Sequence, residues 1–214
     1  MPLYTADALI LRTYKLGESD RLVVFLTRDR GKKRGVAKNA RQSRRRFGGA
    51  LEPMTSGRVS YFEKEHRELV LLHYVEPIRS PLARAGGDAL EYVGYFAELI
   101  DEWAQEGDPN ETLFRLGASI VDAVAAGVAI DPLARYFEYW LLRLQGVYQA
   151  DPRASAAARA FLESARASSP FGLAAVAVSR ATLRELEASH RALIAMHLEK
   201  DLKSVRVLNE MRGE

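Results

Sequence analysis

Ten lysine and arginine side chains fall between positions 28 and 46: Arg28, Arg30, Lys32, Lys33, Arg34, Lys38, Arg41, Arg44, Arg45 and Arg46. Asp29 is the single acid among them, so the stretch carries a net charge of +9. The whole chain sums to +3 at pH 7, which leaves −6 for the remaining residues. Like charge gathered at that density repels itself, and a polyanion bound to the same face relieves the repulsion. The segment lies between apolar runs rather than in a tail, which favours nucleic acid over a merely solvated loop. Lys32, Lys33, Arg34, Lys38, Arg41, Arg44, Arg45 and Arg46 are expected to neutralise phosphates, with Arg28 beside them. Phe47 and Tyr14 either stack on bases or fill a hydrophobic interior.

Other reactive groupings are sparse. Glu18 and Asp20 form a carboxylate pair that either holds a hard cation such as Mg²⁺, as in a nuclease, or shapes a turn. His190 and His197 are seven residues apart and suit one helix face, while His66 and His73 lack ligand spacing; ordinary histidines are expected at all four positions. The chain has no cysteine, hence no disulfide, thiolate nucleophile or zinc–thiolate site. Gly31-Lys32-Lys33-Arg34-Gly35 is basic and glycine-flanked, but it lacks the spacing and hydroxyl of a phosphate-cradling loop. G-x-S-x-G and H-E-x-x-H are both absent. The expectation is a binding protein rather than an enzyme, with no cofactor and no metal.

The elements that carry the basic segment read as β. Residues 5–14 place Leu9 and Leu11 on one face and Ala8 and Ile10 on the other. Residues 22–26 form a continuous apolar run, as in a strand covered on both sides. Turn-forming residues 16–21 and 29–31 flank it, and residues 32–38, 58–62 and 68–75 supply three further strands. Five short strands in under eighty residues suit a closed barrel that hides its edges. An OB-type barrel is the first candidate; an open antiparallel sheet and an SH3-like barrel also fit the pattern. From Pro77 onward the apolar period becomes helical. Leu90, Val93, Phe96, Ile100 and Trp103 form one stripe, and Leu113, Leu116, Ile120 and Val124 form another. Asp131 before Pro132 predicts a helix start with Asp131 as its cap. Tyr136, Phe137 and Trp140 then belong to a bundle core, and Leu183, Leu186, Leu193 and His197 lie near one face of a last long helix. The predicted fold is therefore α+β, with a barrel over residues 1–77 and an all-α region over 78–214.

At 214 residues the chain can bury a real core. It has no apolar run near the ~18 residues needed to span a bilayer. The N-terminus lacks the basic stretch and apolar run of a secretory signal. A cytoplasmic location without a membrane partner is expected.

Gly17-Glu18-Ser19-Asp20-Arg21-Leu22-Val23, with Phe25 and Thr27 following, resembles the opening motif of the RecO family of recombination mediators. Gly31-Lys32, Arg34-Gly35-Val36-Ala37-Lys38, Ser43-Arg44, Phe47-Gly48-Gly49-Ala50-Leu51 and Glu52-Pro53 follow at the family's spacing. Near the C-terminus, Leu202-Lys203-Ser204-Val205-Arg206-Val207-Leu208 is similar to the family's lysine–serine motif. The chain departs from the family in lacking the four zinc-binding cysteines of many members, so a zinc subdomain is not expected. Asn39 also stands where glycine is common, and asparagine tolerates the positive φ such a turn needs. The resemblance implies a nucleoid-associated protein that binds single- and double-stranded DNA through an N-terminal OB barrel. It further implies annealing of complementary strands and cooperation with RecR in loading RecA onto DNA coated by single-stranded-DNA-binding protein, whose acidic tail contacts the helical region. From the residues alone, an RNA-binding or ribosome-associated OB protein, a nuclease using Glu18 and Asp20, and a scaffold for an acidic protein stay open.

Overall fold

The computed structural model describes residues 2–64, 67–83 and 87–212. His66 lies outside these residues. Five strands come first: β1 (Leu3–Leu16), β2 (Asp20–Thr27), β3 (Gly31–Ala37), β4 (Ser56–Phe62) and β5 (Leu69–Arg79). One turn of helix, α1 (Arg44–Phe47), stands between β3 and β4. The strands close into a barrel in the order β1-β2-β3-β5-β4, with β4 returning to β1. All pairs are antiparallel except β3 with β5. That closure, with a helical connection after β3, is an OB-type barrel, not an open sheet.

Two-residue alternation sorts the early part of β1. Ala6, Ala8 and Ile10 face inward, where they meet Val23, Phe25, Val59 and Tyr61. Leu9 faces outward with Val24 and Leu26 and joins the core of the helical region. The β1–β2 register then slips between Ile10 and Arg12. Leu11 is the extra residue of a bulge, and the phase of β1 reverses beyond it. Thr13 now pairs with inward-facing Val23, while Arg12 and Tyr14 pair with outward-facing Val24 and Leu22. Phe47, Ala50 and the half-buried Ala40 and Leu51 pack against the barrel's own core, so the chain from β3 to β4 covers one end of it.

Six longer helices follow: α2 (Gly87–Trp103), α3 (Glu111–Ala125), α4 (Ile130–Leu144), α5 (Ala156–Ala167), α6 (Arg180–Leu198) and α7 (Lys203–Arg212). The α3 stripe of Leu113, Leu116, Ile120 and Val124 is buried, as its period predicts. In α2, Val93, Phe96 and Ile100 are buried while Leu90 is exposed. Tyr92, Tyr95 and Leu99 are buried as well, because α2 is flanked by the barrel, α4 and α7. Gly117 lets Leu9 seat itself against α3, since a Cβ there would lie 2.6 Å from Leu9 Cδ1. Asp131 is not the cap of α4. The helix begins two residues earlier, at Ile130 with Ala129 as N-cap, and the Asp131 carboxylate accepts the Tyr92 hydroxyl at 2.9 Å. Tyr136, Phe137 and Trp140 join the core, although Trp140 is only half-buried. His197 is exposed near the end of α6, whereas His190 is buried two turns earlier.

The lysine–serine motif has a structural role. Leu202 and Leu208 are buried, and the backbone N–H groups of Lys203 and Ser204 donate to the Glu98 carboxylate at 3.2 and 2.7 Å. Glu98 of α2 thus caps the first turn of α7 from outside that helix. Burial works against the Glu98 charge, but the bonds from Ser204 and Lys203 and the nearby Arg12 outweigh it and hold its pKa below the usual carboxylate range. The stability this cap contributes is in place above the unfolded value of about 4.3 and is lost as pH falls through the lower folded value. Glu98→Ala is expected to cost about 1–2 kcal/mol and to speed amide hydrogen exchange across α7. Unchanged exchange there would mean that Leu202 and Leu208 alone hold the helix.

Candidate nucleic-acid interface

Alternation divides the basic run, because consecutive strand residues point to opposite faces. Lys32 and Arg34 pair with outward-facing Leu26 and Val24, on the side occupied by α2. Lys32 Nζ donates to the Asp101 carbonyl at 2.6 Å and to its carboxylate at 3.1 Å. The Lys32 backbone also bonds Gln105 and Gly107, fastening β3 to the loop after α2. Gly31 lies against that loop at φ +67°, where a Cβ would sit 2.4 Å from the Asp108 backbone, so only glycine fits. Arg34 lies 3.9 Å from Glu106, the two side chains 41 % and 54 % exposed. Lys33 points the other way and binds Glu63 at 2.7 Å. Arg28 binds Glu111 of α3 at 2.6 Å. Arg30 stacks over the Tyr4 ring at 4.1 Å.

The remaining cations behave differently. Lys38, Arg41, Arg44, Arg45 and Arg46 have no carboxylate partner among the described residues. They sit on the segment that covers the end of the barrel, and the β1–β2 turn positions it. Asp20 accepts the Asn39 N–H at 2.8 Å, and the Ser19 carbonyl accepts the Arg41 N–H at 3.1 Å. Asn39 adopts φ +54°, the conformation its side chain tolerates. Arg41 donates to the Glu18 carbonyl at 3.1 Å. Arg46 donates to Ser43 Oγ and to the Lys38 carbonyl, and lies 5.0 Å above the Phe47 ring. The Asp20 carboxylate is therefore committed to the turn. Among the described residues no three His, Cys, Asp or Glu side chains come together to hold a metal.

A groove of about 880 Å³ runs beside this segment, with Arg21, Arg41 and Arg44 on its walls. Gly48 and Gly49 leave it open, and Glu52 is its acid. Arg21 joins the candidate residues from β2, where the register sets it beside Lys15 and Ala37. Only cross-strand register reveals it, because it lies outside the basic run. Phe47 is 3 % exposed and fills the barrel, whereas Tyr14 is 46 % exposed on the outer face. Arg12 was also hidden from sequence reasoning. The bulge turns it outward, where it binds Asp101 at 2.6 Å and Glu102 at 3.2 Å.

Residues 1–81 match the family described as the N-terminal region of recombination protein O, and residues 84–150 match its C-terminal region. The chain belongs to the RecO family. A DNA repair protein RecO from Koribacter versatilis is 41% identical over 145 residues, covering 67% of this chain and 59% of the relative. One from Anaeromyxobacter sp. strain K is 40% identical over 152 residues, covering 71% of this chain and 59% of the relative. One from Pelotomaculum thermopropionicum is 33% identical over 147 residues, covering 68% and 56%. The chain spans about three fifths of the length of the RecO relatives it matches. The barrel and α2–α4 lie within the matched residues, while α5–α7 lie beyond them.

Proposed function

We propose that this chain is a DNA repair and recombination mediator that binds single- and double-stranded DNA, anneals complementary strands and cuts neither. The observation that carries the reading is the set of five cations between Lys38 and Arg46, held without carboxylate partners over the covered end of the barrel. Arg21 extends that set on the groove wall. Arg28, Lys32 and Lys33 are committed to carboxylates, so they set the frame rather than the affinity. Phosphate contacts position a strand without reading its bases, so little sequence preference follows. Annealing of this kind needs no nucleotide hydrolysis, because neutralised strands repel each other less and meet at higher local concentration.

The family's partners enter the reading in the same way. RecR would bind this chain, and together they would help load RecA onto DNA coated by single-stranded-DNA-binding protein. The acidic tail of that coating protein would contact the helical region. A groove of about 300 Å³ between α6 and α7 supports this, with Arg206 beside Ile194, Leu202 and Val205, although its Lys200 is paired with Glu102 and Asp201 adds an acid. The work would take place in the cytoplasm, on the nucleoid. No helix among the described residues is long and apolar enough to cross a membrane.

A strand-annealing and binding titration across salt tests the core of this reading. If five phosphates are contacted, log K against log salt should slope near −3.5 on single strands, so affinity falls about a hundredfold between ~50 and ~200 mM salt. Annealing should persist on strands carrying the coating protein, and labelled DNA should stay intact with Mg²⁺ or Mn²⁺. Salt-insensitive binding, or matched RNA outcompeting DNA, would overturn it.

A further inference from the structure

We propose that α7 is an exchangeable element, and that two copies of this chain trade their α7 helices to form a domain-swapped dimer. The hinge is the connection between α6 and α7, residues 199–202. Glu199 ends α6 in the left-handed conformation, with φ +51° and ψ +26°. A residue with a Cβ is strained there, which is why glycine is usual at such a helix end. Neither glycine nor proline occurs between Leu173 and Arg212. Glu199 and Lys200 are good helix formers, so the hinge residues favour continuing α6 over turning the chain. The turn is therefore imposed by the place where α7 docks, and the residues that make it do not ask for it.

At 10 residues α7 is too short to hold as an isolated helix, so its order comes from the surface beneath it. Leu202 and Leu208 are buried in the helical core, and Val205 packs beside them. Glu98 of α2 accepts the Lys203 and Ser204 N–H groups, and Arg191 of α6 donates to Asn209 at 3.0 Å. These contacts all join α7 to residues on the far side of the hinge. The α7 of a second copy makes them equally well, and that copy is the one partner whose helix is certain to fit the groove. The exchange gives up the pair between Lys200 and Glu102, in which Lys200 is half exposed and contributes little. It relieves two strained Glu199 residues, one in each copy, as the hinge extends α6. In dilute solution a chain keeps its own α7, because the short hinge holds it at high effective concentration. The dimer gains as protein concentration rises. It carries two barrels, and on the DNA-binding reading above that gives one Lys38–Arg46 segment to each of two strands being annealed.

Light scattering on the full chain, refolded at a series of rising concentrations, should show monomer giving way to dimer. Glu199→Gly and Glu199→Ala remove the same side chain, but only glycine relieves the left-handed backbone. Glu199→Gly should weaken the dimer about a hundredfold or more, because each of two hinges loses its strain in the monomer and gains a poor helix former in the dimer. Glu199→Ala should dimerise like the parent. The chain has no cysteine, so Ala195→Cys with Arg206→Cys supplies one pair of thiols, both at exposed positions lining the groove between α6 and α7. A short bismaleimide should join them between copies in the dimer fraction and within one copy in the monomer fraction, read on a denaturing gel. Monomer at every concentration, equal dimerisation of the glycine and alanine variants, or a dimer fraction crosslinked only within each copy would overturn the proposal. These measurements contain no DNA, so their outcome is separate from that of the binding and annealing titrations.

Discussion

Replacing Arg44, Arg45 and Arg46 together with alanine is expected to lower single-stranded DNA affinity about a hundredfold at ~0.1 M salt and to flatten the salt slope by about two. Each lost phosphate contact removes about 0.7 from the single-strand slope, which at ~0.1 M is about fivefold in affinity. The loss should be similar for all sequences, since these contacts do not read bases. Arg44 and Arg45 are exposed, and alanine favours a helix, so α1 is not harmed by their loss. Arg46 also ties Ser43 to Lys38, so its removal loosens the segment. The double variant Arg44→Gln with Arg45→Gln separates charge from structure. It should lose about 25-fold in affinity and about 1.4 in slope on the same arithmetic. Anisotropy titrations across salt give both quantities. Unchanged affinity in the triple variant would remove this segment from the site.

Glu138→Ala is expected to destabilise the helical region by about 3–5 kcal/mol, a large fraction of the stability of an ordinary domain. Glu138 is wholly buried in α4. It accepts the Tyr95 hydroxyl at 2.8 Å, binds Arg135 at 2.9 Å and meets His190 Nδ1 at 3.1 Å. Arg135 reaches on to Glu187 at 3.3 Å, and Arg191 binds Glu187 in turn. The network joins α2, α4 and α6, and Arg191 extends it to Asn209 of α7 at 3.0 Å. Removing Glu138 leaves the Arg135 guanidinium, 2 % exposed, without its nearest anion. Burial works against the Glu138 charge, and Arg135, then His190 and Tyr95, outweigh it, so its pKa lies below the usual range. Its contribution is present above the unfolded value of about 4.3 and is lost as pH falls through the folded value. Denaturant midpoints measured from pH 7 down to pH 3 should converge for parent and variant. Arg135→Met combined with Glu138→Leu should be more stable than Glu138→Ala, because no buried charge is left alone. A double variant as unstable as the single one would assign the loss to packing instead.

The barrel was legible because strand patterning is local. The placing of Ala8 and Ile10 opposite Leu9 and the apolar run of β2 follow from period and composition, and so does the helical stripe of α3, while which face of β1 points inward came from the fold. The basic segment was legible too, since ten cations against one acid need no fold to be noticed. The end of α4 that faces α6 was not. Arg135 and Glu138 carried no signal in the sequence and His190 read as an ordinary histidine; only the packing of three helices brings the three together. Asp131 had the right type for a cap, yet Tyr92 from a distant helix claimed its carboxylate.

By itself the sequence determined a barrel-plus-helices architecture and a dense positive segment beside a RecO-like turn, because those properties reside in neighbours along the chain. Tertiary structure alone decided which cations are available. Strand alternation sent Lys32 and Lys33 to opposite sides, and carboxylates from α2, α3 and the end of β4 engaged Lys32, Arg28 and Lys33. A single extra residue at Leu11 reversed the phase of β1, turning Arg12 toward α2 and Tyr14 toward solvent. Charge is counted along a chain, but whether it is neutralised depends on what lies across the fold, and that is a matter of register and docking.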